Sequence, residues 1–381
     1  MEINKKGTFK KVPVFDFKLQ DTEKEFVNDC LKTSFIGQGS YVKDFEKKFS
    51  NFVDCEYGVT TTSGTTALHL ACKTLGIKEG DQVLVSSSTN MACAFSVDLC
   101  GAIPIPIDIE IETWQMDIKK IEKQINKKTK AIMVVHLFGH PVDMDPVLEI
   151  AKKYDLKIIE DCAEAHGVEY KGRKVGSIGD IGAFSFFANK TITCGEGGMV
   201  VTNSKDLAEK AKSLKNLAYG KVNKFIHDDV GFNYRLPNIS AALGLGQFLN
   251  IDNVFIEKKR IYERYKKNLE NTKGIKIPIV KDWVTKYIMW VFNIYLDDSF
   301  PITRDELVKK LQEKNIETRN AFVPINKQTV LISKYGLFSE DDCPNANYIM
   351  EKGLYLPSGN TITNEDIDFV CNEIKIISKQ S

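Results

Sequence analysis

From residue 58 onward, short apolar runs rich in Val, Ile and Thr alternate with amphipathic stretches: GVTTT, ALHLACKTLGI, QVLVSS, FSVDLCGA and IPIPIDI follow one another. Two side-chain periods taking turns along a chain are the mark of α/β construction around a largely parallel sheet. The pattern continues with AIMVVHLFG as a buried strand, DPVLEIAKKYD as a helix, LKIIEDCA as a strand, and AFSFF and MVVTN as two more. In open α/β sheets a ligand sits outside the carboxyl ends of the strands. The residues directly after these runs, Ser63-Gly64-Thr65, Thr89-Asn90, Asp161 and Lys190, are therefore where chemistry is expected.

At 381 residues the chain exceeds what one core usually serves, so a large domain and a smaller one are expected. DTEKEFVNDCLKTSF reads as an opening helix, broken by Gly37-Gln38-Gly39. After Asn238 the period is helical from ISAALGLGQFLNI through FIEKKRIYERYKKNLE, which suits a long connecting helix. The boundary is placed near residue 255, giving a large domain over 1–255 and a small α+β domain over 256–381. In the latter, YIMWVFNIYL reads as a strand and TRDELVKKLQEKN as a helix, with a further helix near the end.

Fifty-two basic against 51 acidic side chains leave a formal charge of +1, too weak a field to gather nucleic acid or an anionic membrane. A small-molecule substrate is expected instead. The nine cysteines are scattered singly with no C-x-x-C pair, and read as reduced thiols of a cytoplasmic protein. MEINKKGTFKKVPVFDF lacks the apolar core of a signal peptide, and no run has the length of a membrane span.

Lys190 lies in AFSFFANKTITCGEGGMVVTN, just past an apolar strand and before a glycine-rich turn. An amine held there and partly desolvated would be a nucleophile toward a carbonyl; taken alone, it reads far more readily as a solvated loop lysine, since 52 basic residues cannot all be catalytic. Asp161 ends a strand that looks fully buried. A carboxylate there could keep a cofactor's ring nitrogen protonated or simply cap a helix. TTSGTTALHLA leads a small-residue turn into a helix N-terminus, an arrangement that offers N–H groups and hydroxyls to a phosphate. Ser185 offers one more hydroxyl near the lysine.

In order, SGTTALHL, HLFGHPVDMDP, IIEDCAEAHG, SFFANKTITCGEGGMVVTN and GFNYRLPNISAALGLGQ resemble the sugar aminotransferases of the DegT/DnrJ/EryC1/StrS family. Within it they are similar to the branch acting on GDP-4-keto-6-deoxymannose. The resemblance implies fold type I of the pyridoxal-phosphate enzymes: a mixed, mostly parallel sheet flanked by helices, and a homodimer with active sites at the subunit interface. It implies Lys190 as the lysine that carries pyridoxal 5'-phosphate, Asp161 as the partner of its ring nitrogen, and Glu164 near its phenolic oxygen. Gly64, Thr65 and Ser185 match phosphate contacts, and Asn233 in GFNYR matches one supplied from the neighbouring subunit. The implied reaction moves an amino group from L-glutamate to C4 of a nucleotide-linked 4-keto-6-deoxy sugar, with pyridoxamine 5'-phosphate as the amine-carrying form.

The sequence departs from the family at SSSTNMACAF, where Asn90 occupies the place of an aromatic that stacks on the cofactor ring. Arg319 could grip a sugar-nucleotide phosphate bidentately or form a surface ion pair. Gln38, in the FIGQGS loop, is a candidate lid residue over the sugar. His166 is placed with these two as a candidate substrate contact, although the five histidines each read first as hydrogen-bonded structural residues and show no metal spacing. Rival readings are a transferase for a UDP- or dTDP-linked keto sugar and a non-catalytic sensor that binds the cofactor. A dehydratase, which would have histidine in place of Lys190, is disfavoured.

Overall fold

Seven of the apolar runs pair into one sheet. Its strands are β1 (Tyr57–Thr61), β2 (Gln82–Ser86), β3 (Ile103–Ile107), β4 (Thr129–Val135), β5 (Lys157–Asp161), β8 (Ile181–Ser185) and β9 (Gly198–Thr202). The intervening β6 (Glu169–Tyr170) and β7 (Arg173–Lys174) form a small hairpin, to which the later β11 (Val284–Lys286) adds a third strand beside β6. The order is β1-β9-β8-β5-β4-β2-β3. Every pair from β8 to β3 is parallel, and β9 runs antiparallel to both its neighbours. The computed structural model describes residues 10–379 except 221, 228, 337 and 340.

Side chains alternate across the pleat, so successive residues of one strand enter different cores. Val83, Val85, Met133 and Ile159 pack into one cluster together with Leu68 and Leu70. Leu84, Ile132, Val134 and Ile158 pack into another together with Phe45 and Phe49. Both faces are thus covered, which is why these strands read as near-continuous apolar runs. Phe49 alone meets the rings of Phe45, Phe184 and Phe186, and burying a ring of this kind contributes about 1.5–3 kcal/mol.

The covering helices are α1 (Asp21–Thr33), α2 (Ser40–Phe52), α3 (Gly64–Thr74), α4 (Ala92–Asp98), α5 (Ile121–Gln124), α6 (Met144–Tyr154) and α7 (Lys205–Lys215). The single long helix expected after Asn238 is instead two, α8 (Asn238–Leu249) and α9 (Ile251–Leu269), which meet at a bend of 63°. The break falls at Asn250, whose backbone leaves the helical region. Among the described residues no single helix is long and apolar enough to cross a membrane.

Residue 255 lies inside α9. Phe255 packs with the second cluster, whereas Ile261, Tyr265 and Leu269 join a third. That third cluster backs a four-stranded antiparallel sheet in the order β10 (Ile275–Lys276), β12 (Phe292–Leu296), β14 (Gly353–Leu356), β13 (Arg319–Asn320). It is completed by α10 (Arg304–Glu313) and α13 (Asn364–Ser378). Val12 belongs to it too, tied across by Val12 N–H to Asn315 O at 2.9 Å and Glu317 N–H to Val12 O at 3.0 Å. The strand expected over YIMWVFNIYL is shorter than its apolar run: regular pairing starts at Phe292, leaving Trp290 in irregular backbone just before it.

Candidate active site

Asp161 is the last residue of β5, the central strand of the seven, and only 5% exposed. Its Oδ1 accepts from Ala163 N–H at 2.9 Å, and its Oδ2 accepts from the thiol of Cys93 at 2.9 Å. Lys190 sits in the loop joining β8 to the antiparallel β9. That loop is pinned by Phe186 N–H to Gly197 O at 2.8 Å and Cys194 N–H to Phe186 O at 2.9 Å. The lysine Nζ lies 3.2 Å from Glu164 Oε1 and 3.8 Å from the centroid of the Trp290 ring. The Trp290 indole N–H in turn donates to Asn189 O at 2.8 Å, holding the residue before the lysine.

Glu164 is buried, and its Oε2 accepts from Phe138 N–H at 3.1 Å. Burial raises its pKa against the opposing charge of Lys190. Phe138 adopts φ +54°, a left-handed conformation uncommon for a bulky residue and a reservoir of local strain. Its ring stacks on Trp290 at 5.9 Å and on Phe322 at 6.0 Å.

Opposite the lysine, Ser63 caps α3: its hydroxyl accepts from Thr66 N–H at 3.2 Å while Thr66 Oγ1 accepts from Ser63 N–H at 3.0 Å. The first N–H groups of the helix, those of Gly64 and Thr65, have no intrahelical acceptor by position and are open to an anion. Gly64 approaches Ser185 so closely that a Cβ on it would lie 2.7 Å from the serine Cβ. Ser63, Gly64, Thr65 and Ser185 border one cavity of about 360 Å³, with Asp161, Glu164 and Lys190 along its floor and Trp290, Phe322 and Tyr355 over it.

Of the residues anticipated from sequence, Asp161, Glu164, Ser185, Gly64, Thr65, Asn90 and Lys190 therefore meet at one place. Asn90 borders the cavity while its Oδ1 accepts from Ala92 N–H at 3.0 Å, shaping the start of α4. Asn233 is exposed, bridges to Asn216 and does not border this cavity. Gln38 donates to Leu236 O at 2.8 Å and borders a different hollow, between α2 and the Lys212–Asn216 stretch. Arg319 is exposed, but pairs across the strands with Tyr355 and so shares its face of the sheet.

His166 is a correction. It is fully buried among Phe49, Phe184 and Phe186, in the layer behind the sheet rather than at the cavity. Burial, then the charge of Lys190, lowers its pKa to about 3, so it is a neutral core ring.

Also behind the sheet, His136, Glu160 and Cys162 place their ligand atoms within 4.8 Å of one another. Hydrogen bonding accounts for the cluster without an ion. His136 Nδ1 accepts from Val142 N–H at 3.1 Å, so the ring proton is on Nε2 and donates to Glu160 Oε2 at 3.0 Å. The N–H groups of Gly176, Ile178 and Gly179 satisfy the rest of the carboxylate.

The sequence reading missed Cys93, Phe138, Trp290, Phe322 and Tyr355. The one local hint was Asn90, whose lack of a ring left two readings: another side chain covers the cofactor ring, or the substrate differs.

The model of the DegT/DnrJ/EryC1/StrS aminotransferase family matches residues 18–375. The chain belongs to this family. As a member it is a pyridoxal-phosphate-dependent sugar aminotransferase of fold type I, using a sugar nucleotide and an amino donor. It is 42% identical over 366 residues to the GDP-perosamine synthase of Escherichia coli O157:H7, covering 96% of this chain and 98% of that one. It is 36% identical over 367 residues to the GDP-perosamine synthase of Vibrio cholerae, covering 96% and 98%. Among solved structures, S. venezuelae DesV in complex with a ketimine intermediate superposes with a TM-score of 0.90 at 30% identity, covering 97% of this chain and 99% of that one. The cavity suits the cofactor of this family: a primary amine, a buried carboxylate for the ring nitrogen, and a helix start kept open by Gly64 for the phosphate.

Proposed function

We propose that this family member transfers the amino group of L-glutamate to C4 of a nucleotide-linked 4-keto-6-deoxy sugar, GDP-4-keto-6-deoxymannose in particular, giving GDP-perosamine. The observation that carries the reading is the convergence of the Lys190 amine, the Asp161 carboxylate and the α3 N-terminus on one cavity. The sugar and nucleotide are taken from the two GDP-perosamine synthases, which align over almost their whole length.

Pyridoxal phosphate, when bound, supplies the electron sink and carries the amino group between substrates as pyridoxamine phosphate. In this reading Asp161 holds the ring N–H. Gly64, Thr65 and Ser185 hold the phosphate, and Glu164 faces the phenolic oxygen. Lys190 carries the cofactor at rest. As a free amine it would move a proton from the donor's Cα to the cofactor, and then from the cofactor to C4 of the sugar. Trp290 keeps that amine in place from its ring face and through the Asn189 carbonyl. With Phe322 and Tyr355 it excludes water from the reacting carbons. Arg319 and Gln38 are assigned to the sugar nucleotide. The enzyme works as a homodimer, in which the exposed Asn233 serves the phosphate site of the neighbouring subunit.

The test is to offer purified enzyme GDP-, UDP- and dTDP-linked 4-keto-6-deoxy sugars with L-glutamate and to weigh the products. Amination of the GDP sugar ahead of the other two is expected. Amination of only a UDP or dTDP sugar overturns the substrate assignment, and no amination with any of them overturns the reaction.

A further inference from the structure

The carboxylate of Asp161 does not stand alone on the cavity floor. Cys93, on the first turn of α4 and 0% exposed, lies with its Sγ 2.9 Å from Asp161 Oδ2. On its other side the same sulfur is 3.2 Å from the hydroxyl of Thr89, itself 2% exposed. The polarity of this chain follows from chemistry. A carboxylate at the base of a pyridinium site is an acceptor only, so the thiol must donate to it, and the hydroxyl can then donate to the sulfur. Burial, followed by the charge of Asp161, raises the Cys93 pKa well above that of an ordinary thiol, which keeps the proton on sulfur. The other carboxylate oxygen is held by Ala163 N–H. With one donor on each oxygen, the rotation of the carboxylate is set, and the lone pairs left over face the cavity.

We propose that Cys93 is a positioning residue for Asp161: the relay from Thr89 through the Cys93 thiol to Oδ2 fixes the carboxylate in the orientation that receives a protonated ring nitrogen. This rests on the assignment of Asp161 to the cofactor ring. A buried cysteine is more often a small apolar filler, and three substitutions separate the two roles. Cys93→Ser keeps a donor in nearly the same volume, Cys93→Val keeps the volume without a donor, and Cys93→Ala keeps neither.

The measurement is equilibrium binding of pyridoxal phosphate to each apoprotein, read from its bound absorbance band and from tryptophan fluorescence, with the pH dependence of that band recorded alongside. Asp161→Asn serves as the control. If Cys93 positions the carboxylate, Cys93→Val and Cys93→Ala weaken cofactor binding about tenfold, the loss of one hydrogen bond to a charged group, and displace the pH response of the band. Cys93→Ser stays within about twofold of the parent, a difference well below that of a lost hydrogen bond. If Val matches the parent, or if Ser is as weak as Ala, the thiol is filler and the proposal fails. If Asp161→Asn itself binds and responds to pH like the parent, the assignment of Asp161 fails first, and with it the proposal.

Discussion

Glu160 and Asp161 are neighbours on β5, both buried, both at the carboxyl end of the strand, yet they face opposite sides of the sheet and live in different chemical settings. Behind the sheet, Glu160 accepts from three backbone N–H groups and from His136, and that cluster is closed. In front, Asp161 has one donor on each oxygen and borders the cavity. The difference is one of spare capacity. A buried carboxylate whose acceptor sites are all filled fixes a loop. One with sites left open must find a partner from outside the chain, because a buried charge without compensation is costly. The same test separates the two clusters of ionisable groups here: His136, Glu160 and Cys162 have the composition of a metal site without the vacancies, whereas Asp161, Glu164 and Lys190 have vacancies all facing one hollow.

The sharpest way to break the contrast is to neutralise each carboxylate in turn. Asp161→Asn should leave folding intact and lower turnover about 10²–10³-fold, the scale of removing a preorganised charge from a reacting centre; steady-state rates set beside a urea melt would reveal it. Glu160→Gln should do the reverse. An amide cannot accept from three N–H groups without pointing its own NH₂ at one of them, so stability should fall by about 3 kcal/mol, measured by urea denaturation, with cofactor affinity of the folded fraction unchanged. If Asp161→Asn unfolds the protein while Glu160→Gln abolishes only turnover, the two faces have been assigned the wrong way round.

His166 sharpens the comparison with a smaller effect. It lies on the closed side, and its folded pKa of about 3 is below the ordinary histidine value of 6.5. Between those values the unfolded chain binds a proton that the native chain does not, so stability falls as pH is lowered from 6.5 toward 3. The slope from this one ring is about 1.4 kcal/mol per pH unit. His166→Leu should flatten the dependence by that amount in denaturation curves at pH 5 and 6 and leave substrate KM unchanged. A raised KM for the sugar nucleotide would restore it to the substrate side.

Local chemistry explains which parts of this arrangement were legible in sequence. Asp161, Gly64 and Lys190 each come at or just past the end of an apolar run, and the sheet brings the ends of such runs together, so reading strand ends amounts to reading the floor of the site. The roof has no such rule. Trp290 precedes a strand by two residues within one unbroken apolar run, and nothing in YIMWVFNIYL distinguishes a ring that faces Lys190 from one in a core. The thiol of Cys93 was read with the other eight only as a scattered reduced thiol, because spacing says nothing about what lies 68 residues further along. His166 was misplaced for a related reason: past the end of a strand the alternation of faces lapses, and sequence no longer tells which side a side chain enters. The break at Asn250 was hidden because the apolar period continues through it.

The carbonyl of Trp290 and that of Ser358 both accept from Nζ of Lys258, a fully buried side chain midway along α9. The ring that touches the reactive amine is thereby fastened to the helix that passes from the second core into the third. A molecule lodged beneath that ring would be gripped by segments remote from each other in sequence, and would act as a keystone: lifting it out loosens the arch on both sides. Loss of the cofactor should therefore be felt as a softening of the whole chain, well beyond the cavity it leaves.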